Sequence, residues 1–166
     1  AYTANLLSLL FAGTSIPILL ISSNYPLEDR RANGYANFKG AVEAVGRGLP
    51  PNIYVCYRNR DGKTYLHLGS RLTQCPPGSD EFFSAGLSCF GEVSSSRLRL
   101  YQRPPATPEK YRLLAHKIPS LEGRILLLHP YVGLRYDSIS LSPQPHAVIH
   151  GLYHSSTACV SSPQEE

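Results

Sequence analysis

Residues 53–68 read IYVCYRNRDGKTYLHL, and this stretch decides the fold class. Residues 53–58 are aromatic and β-branched, a composition that suits a pleated, half-buried surface. Residues 59–63 contain Asp61-Gly62, and glycine tolerates the positive φ that a tight hairpin needs. Residues 64–68 then form the returning strand. An antiparallel hairpin is therefore expected near the middle of the chain.

Upstream of the hairpin, residues 48–52 (GLPPN) form a break. Before it, residues 35–45 place Phe38, Ala41, Val42 and Val45 at helical spacing. Asn33 or Asn37 is a candidate cap for that helix, and Gly46 a candidate stop. Residues 6–23 (LLSLLFAGTSIPILLISS) are the most apolar part of the chain. They resemble a signal-peptide core but lack a basic leader, and Gly13, Thr14, Ser15 and Pro17 interrupt them. The alternative is two buried segments, 6–12 and 16–21, joined by a turn.

Downstream, Ser79-Asp80-Glu81 opens an expected short helix through Cys89, with Phe82, Phe83, Leu87 and Phe90 apolar. Strands are expected over 98–101, 124–128, 135–141 and 147–153. Thr107-Pro108-Glu109 reads locally as a helix start, whereas strand is expected from about residue 113. The fold class is α+β: a twisted antiparallel sheet packed against one or two helices. Residues 1–50 are expected to be an N-terminal extension, 51–160 the domain, and 161–166 a polar tail.

The 166 residues are 42% hydrophobic and 17% charged, with a net charge of +4. The charged share is low, but the apolar share is ordinary, so low charge does not mean disorder. The mild basic excess permits an anionic partner without demanding one. No Walker loop, dinucleotide-binding glycine pattern, HExxH or nucleophile elbow occurs. Cys56, Cys75, Cys89 and Cys159 allow two disulfides in three pairings, or four free thiols. His146, His150 and His154 are four apart, but Gly151 and the β-branched neighbours make the segment a strand. No metal site is expected there, and no other cofactor.

Lys117-Ile118-Pro119, Gly133-Leu134-Arg135 and Ala147-Val148-Ile149-His150, followed by Cys159, resemble the small fungal guanyl-specific ribonucleases. In that family successive strands carry Glu-Phe-Pro, Gly-Ala-Asp-Arg and Gly-Val-Ile-Thr-His before a late cysteine. Tyr54-Val55-Cys56 is similar to the Tyr-x-Cys start of the ribonuclease-like secreted effectors of powdery mildew fungi. The resemblance covers residues 115–160 well and 54–114 loosely, and leaves 1–50 unexplained. It implies a ribonuclease-like sheet, a disulfide joining Cys56 to Cys159, and secretion outside the cell or into a host cell. Cys75 and Cys89 are then the other two cysteines open to pairing. It also implies a monomer with no membrane contact.

The resemblance further implies a lost activity. RNA cleavage needs a base for the 2′-hydroxyl, an acid for the leaving oxygen and a cation for the charged phosphorane. The family's glutamate base falls on Lys117, which is protonated near neutral pH unless desolvated. Its second histidine falls near Arg99. His150 as acid and Arg135 as phosphate ligand remain as vestiges. Arg99, Lys117, Arg135 and His150 are then expected to bind phosphate rather than cleave RNA. The implied function is a virulence-promoting effector that binds host RNA, a host protein or an immune receptor. The alternatives are an active endoribonuclease using His116 or His67 as base, and a protein-binding β-rich secreted module.

Overall fold

The computed structural model describes residues 1–86, 88–103, 125–153 and 156–158. The chain divides into two compact units, 1–118 and 119–166. In the first, α1 (Tyr2–Leu10) precedes β1 (Pro17–Leu20), α2 (Gly34–Gly46), β2 (Asn52–Arg58), β3 (Thr64–Leu68), β4 (Gly91–Val93) and β5 (Leu98–Leu100). The five strands form one sheet in the order β1-β2-β3-β4-β5.

The hairpin forms as its sequence dictates. β2 and β3 pair antiparallel from Tyr54↔Leu68 to Arg58↔Thr64. The turn closes through Asn59 N donating to Lys63 O at 3.1 Å, with Gly62 at φ +79°. The sheet, however, is mixed rather than antiparallel. β1 pairs parallel to β2, from Pro17↔Asn52 to Leu20↔Val55. Parallel neighbours need a long crossover, and α2 lies in it. The fold is thus α+β with a mixed sheet and two helices, not the antiparallel ribonuclease-like sheet expected. The apolar run at 6–23 resolves into the end of α1, a turn with Gly13 at φ +77°, and β1. Among the described residues no helix is long and apolar enough to cross a membrane.

Alternation along β2 sends side chains to two cores. Tyr54 and Cys56 join Leu66, Leu68, Phe90 and Val93 beneath Ala41 and Ala44 of α2. Val55 and Tyr57 join Ala4 of α1, Leu72 and the half-buried Phe82 on the opposite face. Tyr54 and Phe90 are both fully buried with ring centroids 5.2 Å apart. Each such side chain contributes roughly 1.5–3 kcal/mol by burial. The helical spacing of α2 was legible, but its inward face is not the one its larger residues suggest. Phe38, Val42 and Val45 are exposed, whereas Gly40, Ala41 and Ala44 are buried. Small residues let the helix backbone come close: a Cβ at Gly40 would lie 2.8 Å from Thr64 Cγ2.

The described residues of 79–89, which are 79–86, 88 and 89, do not form the expected helix. Asn59 claims both backbone groups of Phe82, donating from Nδ2 to its O at 3.0 Å and accepting from its N at 3.1 Å. Ser84 forms an antiparallel bridge with Leu72, and Thr73 N donates to Phe83 O at 3.0 Å. With these partners the segment runs extended, and its i−4 helical bonds are not made.

In the second unit β6 (Ile125–Leu128) and β7 (Ala147–His150) pair in parallel, from Ile125↔Ala147 to Leu128↔His150. The strand expected over 135–141 is instead a 3-10 turn at Tyr136–Ser138. Ser138 Oγ donates to Arg135 O at 2.6 Å, a local bond that competes with a strand ladder. The expected helix start at 107–109 and the strand from 113 lie outside the described residues, as do Leu87, His154 and Cys159. Cys56, Cys75 and Cys89 are free thiols, so the expected disulfide framework is not seen among the described residues. Cys56 is fully buried beneath α2, where a Cβ at Gly40 would lie 3.2 Å from its Sγ, and burial pushes its thiol pKa up to about 12.

Candidate functional site

β1 and β2 run parallel, so their carboxyl ends open on the same side of the sheet. In open α/β sheets that end is where a crevice forms for ligands. Asn24, Asn33 and Asn59 line it, and Asn37 braces it from behind. Asn37, wholly buried in the first turns of α2, donates to Ser22 O at 2.7 Å just beyond β1. Its Oδ1 accepts from Arg58 N at 2.6 Å, at the end of β2. One side chain thus ties the two strand ends together. Asn24 and Asn33 cross-link the loop before α2: Asn24 N donates to Asn33 Oδ1 at 3.0 Å, and Asn33 N to Asn24 Oδ1 at 2.9 Å. Asn33 Nδ2 also donates to Arg58 O at 2.9 Å.

Acidic residues enter from the loop that replaced the expected helix. Asp80 Oδ2 accepts from Asn24 Nδ2 at 3.0 Å, and Oδ1 from Arg60 Nε at 2.7 Å. These two bonds, Asn24's the larger, hold its carboxyl below the usual range. Glu81 Oε1 accepts from Arg60 N at 3.0 Å. Together with Arg30 and Arg58 these residues line a cleft of about 340 Å³. Arg31 is neutralised by Asp29 at 2.7 Å and lies over the Tyr25 ring at 4.2 Å. Among the described residues, neither Arg30 nor Arg58 is ion-paired. The cleft therefore offers two uncompensated guanidiniums, Arg30 and Arg58, beside the Glu81 carboxylate and an Asp80 carboxylate already paired with Arg60, a lining that suits a small zwitterion. Among the described residues no group of three or more His, Cys, Asp or Glu could hold a metal ion.

Of the residues expected to bind phosphate, the described ones are Arg99, Arg135 and His150. Arg99 is exposed on β5, its guanidinium 5.2 Å from the Tyr101 ring centre. Arg135 is exposed and paired with Asp137 at 2.7 Å. His150 ends β7, with Nε2 2.9 Å from Tyr136 Oη and Nδ1 against Gly151 O. Arg99 belongs to the first unit, and Arg135 and His150 to the second. Lys117 and His116 lie outside the described residues. The cleft residues themselves were missed because 23–34 (SNYPLEDRRANG) reads as a polar turn. The signal that could have found them is the density of asparagine and arginine between an apolar strand and a helix.

The sequence profile of the family described as "Asparaginase, N-terminal" matches residues 1–106. L-asparaginase 1 of Escherichia coli (strain K12) is 26% identical over 134 residues, which are 80% of this chain and 38% of that protein. The thermostable L-asparaginase from Thermococcus kodakarensis superposes with a TM-score of 0.69 at 17% identity, over 92% of this chain and 44% of that one. The probable cytoplasmic L-asparaginase from Campylobacter jejuni does so with a TM-score of 0.72 at 16% identity, over 94% and 48%. The chain spans less than half the length of each of these proteins, 38%, 44% and 48%.

These likenesses overturn the ribonuclease resemblance. That resemblance rested mainly on short motifs between Lys117 and His150, whereas the profile spans residues 1–106 and includes the stretch it left unexplained. The effector and virulence role, the RNA, host-protein and immune-receptor partners, and the monomeric state came from the resemblance and fall with it. The secreted location rested on the same resemblance and falls with it. With a matching profile over its first 106 residues and the same fold as solved L-asparaginases, the chain belongs to the asparaginase family.

Proposed function

We propose that this chain serves an L-asparaginase-type amidohydrolase, with the cleft at the ends of β1 and β2 holding the charged groups of L-asparagine. The observation that carries the reading is the family match over residues 1–106, the region that contains every cleft residue. In the reaction water adds to the side-chain amide carbon, the C–N bond breaks, and ammonia and L-aspartate leave. L-Asparagine carries one carboxylate, one ammonium and a neutral amide. Arg30 and Arg58 suit the carboxylate, because a guanidinium fork matches its geometry in a bidentate way. Glu81 suits the ammonium, since Asp80 already pairs with Arg60.

The test measures ammonia released from L-asparagine and, separately, calorimetric binding of L-aspartate to the same chain. Saturable binding of L-aspartate, weakened by Arg58→Met, supports the cleft assignment, and ammonia release supports the reaction. Absence of both binding and ammonia release overturns the proposal. Binding that Arg58→Met leaves unchanged overturns the cleft assignment.

A further inference from the structure

Beside the cleft, on the α1 side of the sheet, lies a second cavity of about 240 Å³, which shares Asn59 and Glu81 with the first. Its wall carries a pair that the amide-hydrolysis reading does not use. His67 on β3 is 2% exposed and Ser84 is 5% exposed. His67 Nδ1 and Ser84 Oγ are 2.8 Å apart. Both ends of the pair are fixed by backbone. His67 is registered opposite Val55. Ser84 is held by its bridge to Leu72 and by Ala85 N donating to Arg71 O at 2.8 Å. His67 Nε2 is buried with no partner, so a polar group of the cavity wall is left unsatisfied.

We infer that Ser84 is an activated nucleophile, with His67 as its base, and that the cavity accepts small acyl or sulfonyl electrophiles carrying an aromatic group. A hydroxyl and an imidazole within hydrogen-bond reach, in a shared cavity, are the minimal arrangement for covalent catalysis. Phe82 and Phe83 supply an apolar wall, and Phe82 is stacked on Tyr57 with centroids 4.1 Å apart. Burial keeps the imidazole neutral at pH 7, which leaves a ring nitrogen free to take the hydroxyl proton. Asn59 Nδ2 gives one N–H to Phe82 O and has a second for a developing oxyanion.

With an aryl ester, Ser84 Oγ bonds to the carbonyl carbon and the ester C–O bond breaks. The Ser84 proton passes through His67 Nδ1 to the departing phenolate. Water then releases the acid and restores the hydroxyl. With phenylmethanesulfonyl fluoride the S–F bond breaks instead, hydrogen fluoride leaves, and the adduct stays. Acylation of Ser84 stands independently of asparagine hydrolysis and needs no binding at the cleft.

The experiment treats the folded chain with phenylmethanesulfonyl fluoride and locates the adduct by fragmentation of the tryptic peptide 72–97. The expected result is one adduct on Ser84, absent from chain unfolded in urea before treatment. Labelling should slow by about a hundredfold in His67→Gln, the scale of a lost general base. No adduct, an adduct only on another residue, or equal labelling of folded and unfolded chain overturns the inference. So does a folded His67→Gln variant that labels at the wild-type rate. If that variant does not fold, the comparison of folded and unfolded wild-type chain decides alone.

Discussion

Replacing Asn37 with alanine tests whether one buried amide holds the strand ends in place. The side chain is fully buried and makes two bonds, to Ser22 O at 2.7 Å and from Arg58 N at 2.6 Å. Each bond is worth about 1 kcal/mol net, and a buried partner left unpaired raises the cost to about 1–3 kcal/mol each. Ser22 and Arg58 are themselves exposed, so water can reach the orphaned groups and the lower part of that range applies. A loss of about 2.5 kcal/mol follows from the two bonds and the vacated volume. With a urea slope of about 1.5 kcal/mol/M, the unfolding midpoint falls by about 1.7 M. Urea titration followed by circular dichroism measures it. Asn37→Leu fills the volume without the bonds and should lose a similar amount. A midpoint unchanged in both variants refutes the idea that this amide ties β1 to β2. A loss in the alanine variant alone, with the leucine variant at wild-type stability, assigns the effect to packing and equally refutes it.

Gly40→Ala gains about 1 kcal/mol of helix propensity but sets a Cβ 2.8 Å from Thr64 Cγ2 and 3.2 Å from Cys56 Sγ, and overpacking of that kind costs about 1–3 kcal/mol. A lowered melting temperature is expected, recovered in part by adding Thr64→Ser, which removes the clashing methyl; no recovery in the double variant contradicts the steric account. Burial pushes the His67 imidazole from 6.5 down to about 4, so the unfolded chain binds the extra proton between those values. Its contribution, on the order of 3 kcal/mol, is complete above pH 6.5 and is lost as pH falls towards 4. Urea midpoints measured from pH 7.5 to 4 should fall across that window, and His67→Leu should flatten the fall; a wild-type midpoint constant across the window counts against the burial. Cys56, with its thiol pushed up to about 12, should resist iodoacetamide at pH 8 in the folded chain and react after unfolding. Mass spectrometry showing Cys56 alkylated as fast as Cys75 in the native state would contradict its placement beneath α2.

Local chemistry made part of this fold readable. The β2–β3 hairpin was plain because Asp61-Gly62 sits between two β-prone runs, and everything that decides it lies within sixteen residues. The extent of α2 was plain from periodicity, but its orientation was not. Residue size suggested that Phe38 and Val42 face inward, whereas backbone proximity at Gly40 and Ala44 decides. The parallel pairing of β1 was hidden, because partners more than thirty residues apart leave no mark on local pattern. The 79–89 segment misled in another way: its helix signals are real, but Asn59, twenty-three residues earlier, captures the backbone of Phe82. The cleft suffered from the same distance problem. Asn24, Asn37, Arg58 and Asp80 meet only through long-range bonds, so no spacing rule unites them. His67 was weighed in the sequence as a possible base, but its neighbour Ser84 was not, since only the Leu72 bridge brings that hydroxyl near.

β1 lies at one end of the sheet order and has a partner on one side alone among the described residues. Its four residues, Pro-Ile-Leu-Leu, carry no charge, and proline occupies only the first position. An apolar border strand of this kind is a template on which a further strand can add by main-chain bonding. Protein concentration is therefore an experimental variable for this chain. Every titration should be repeated across a dilution series, with light scattering alongside, so that self-association is separated from intrinsic behaviour.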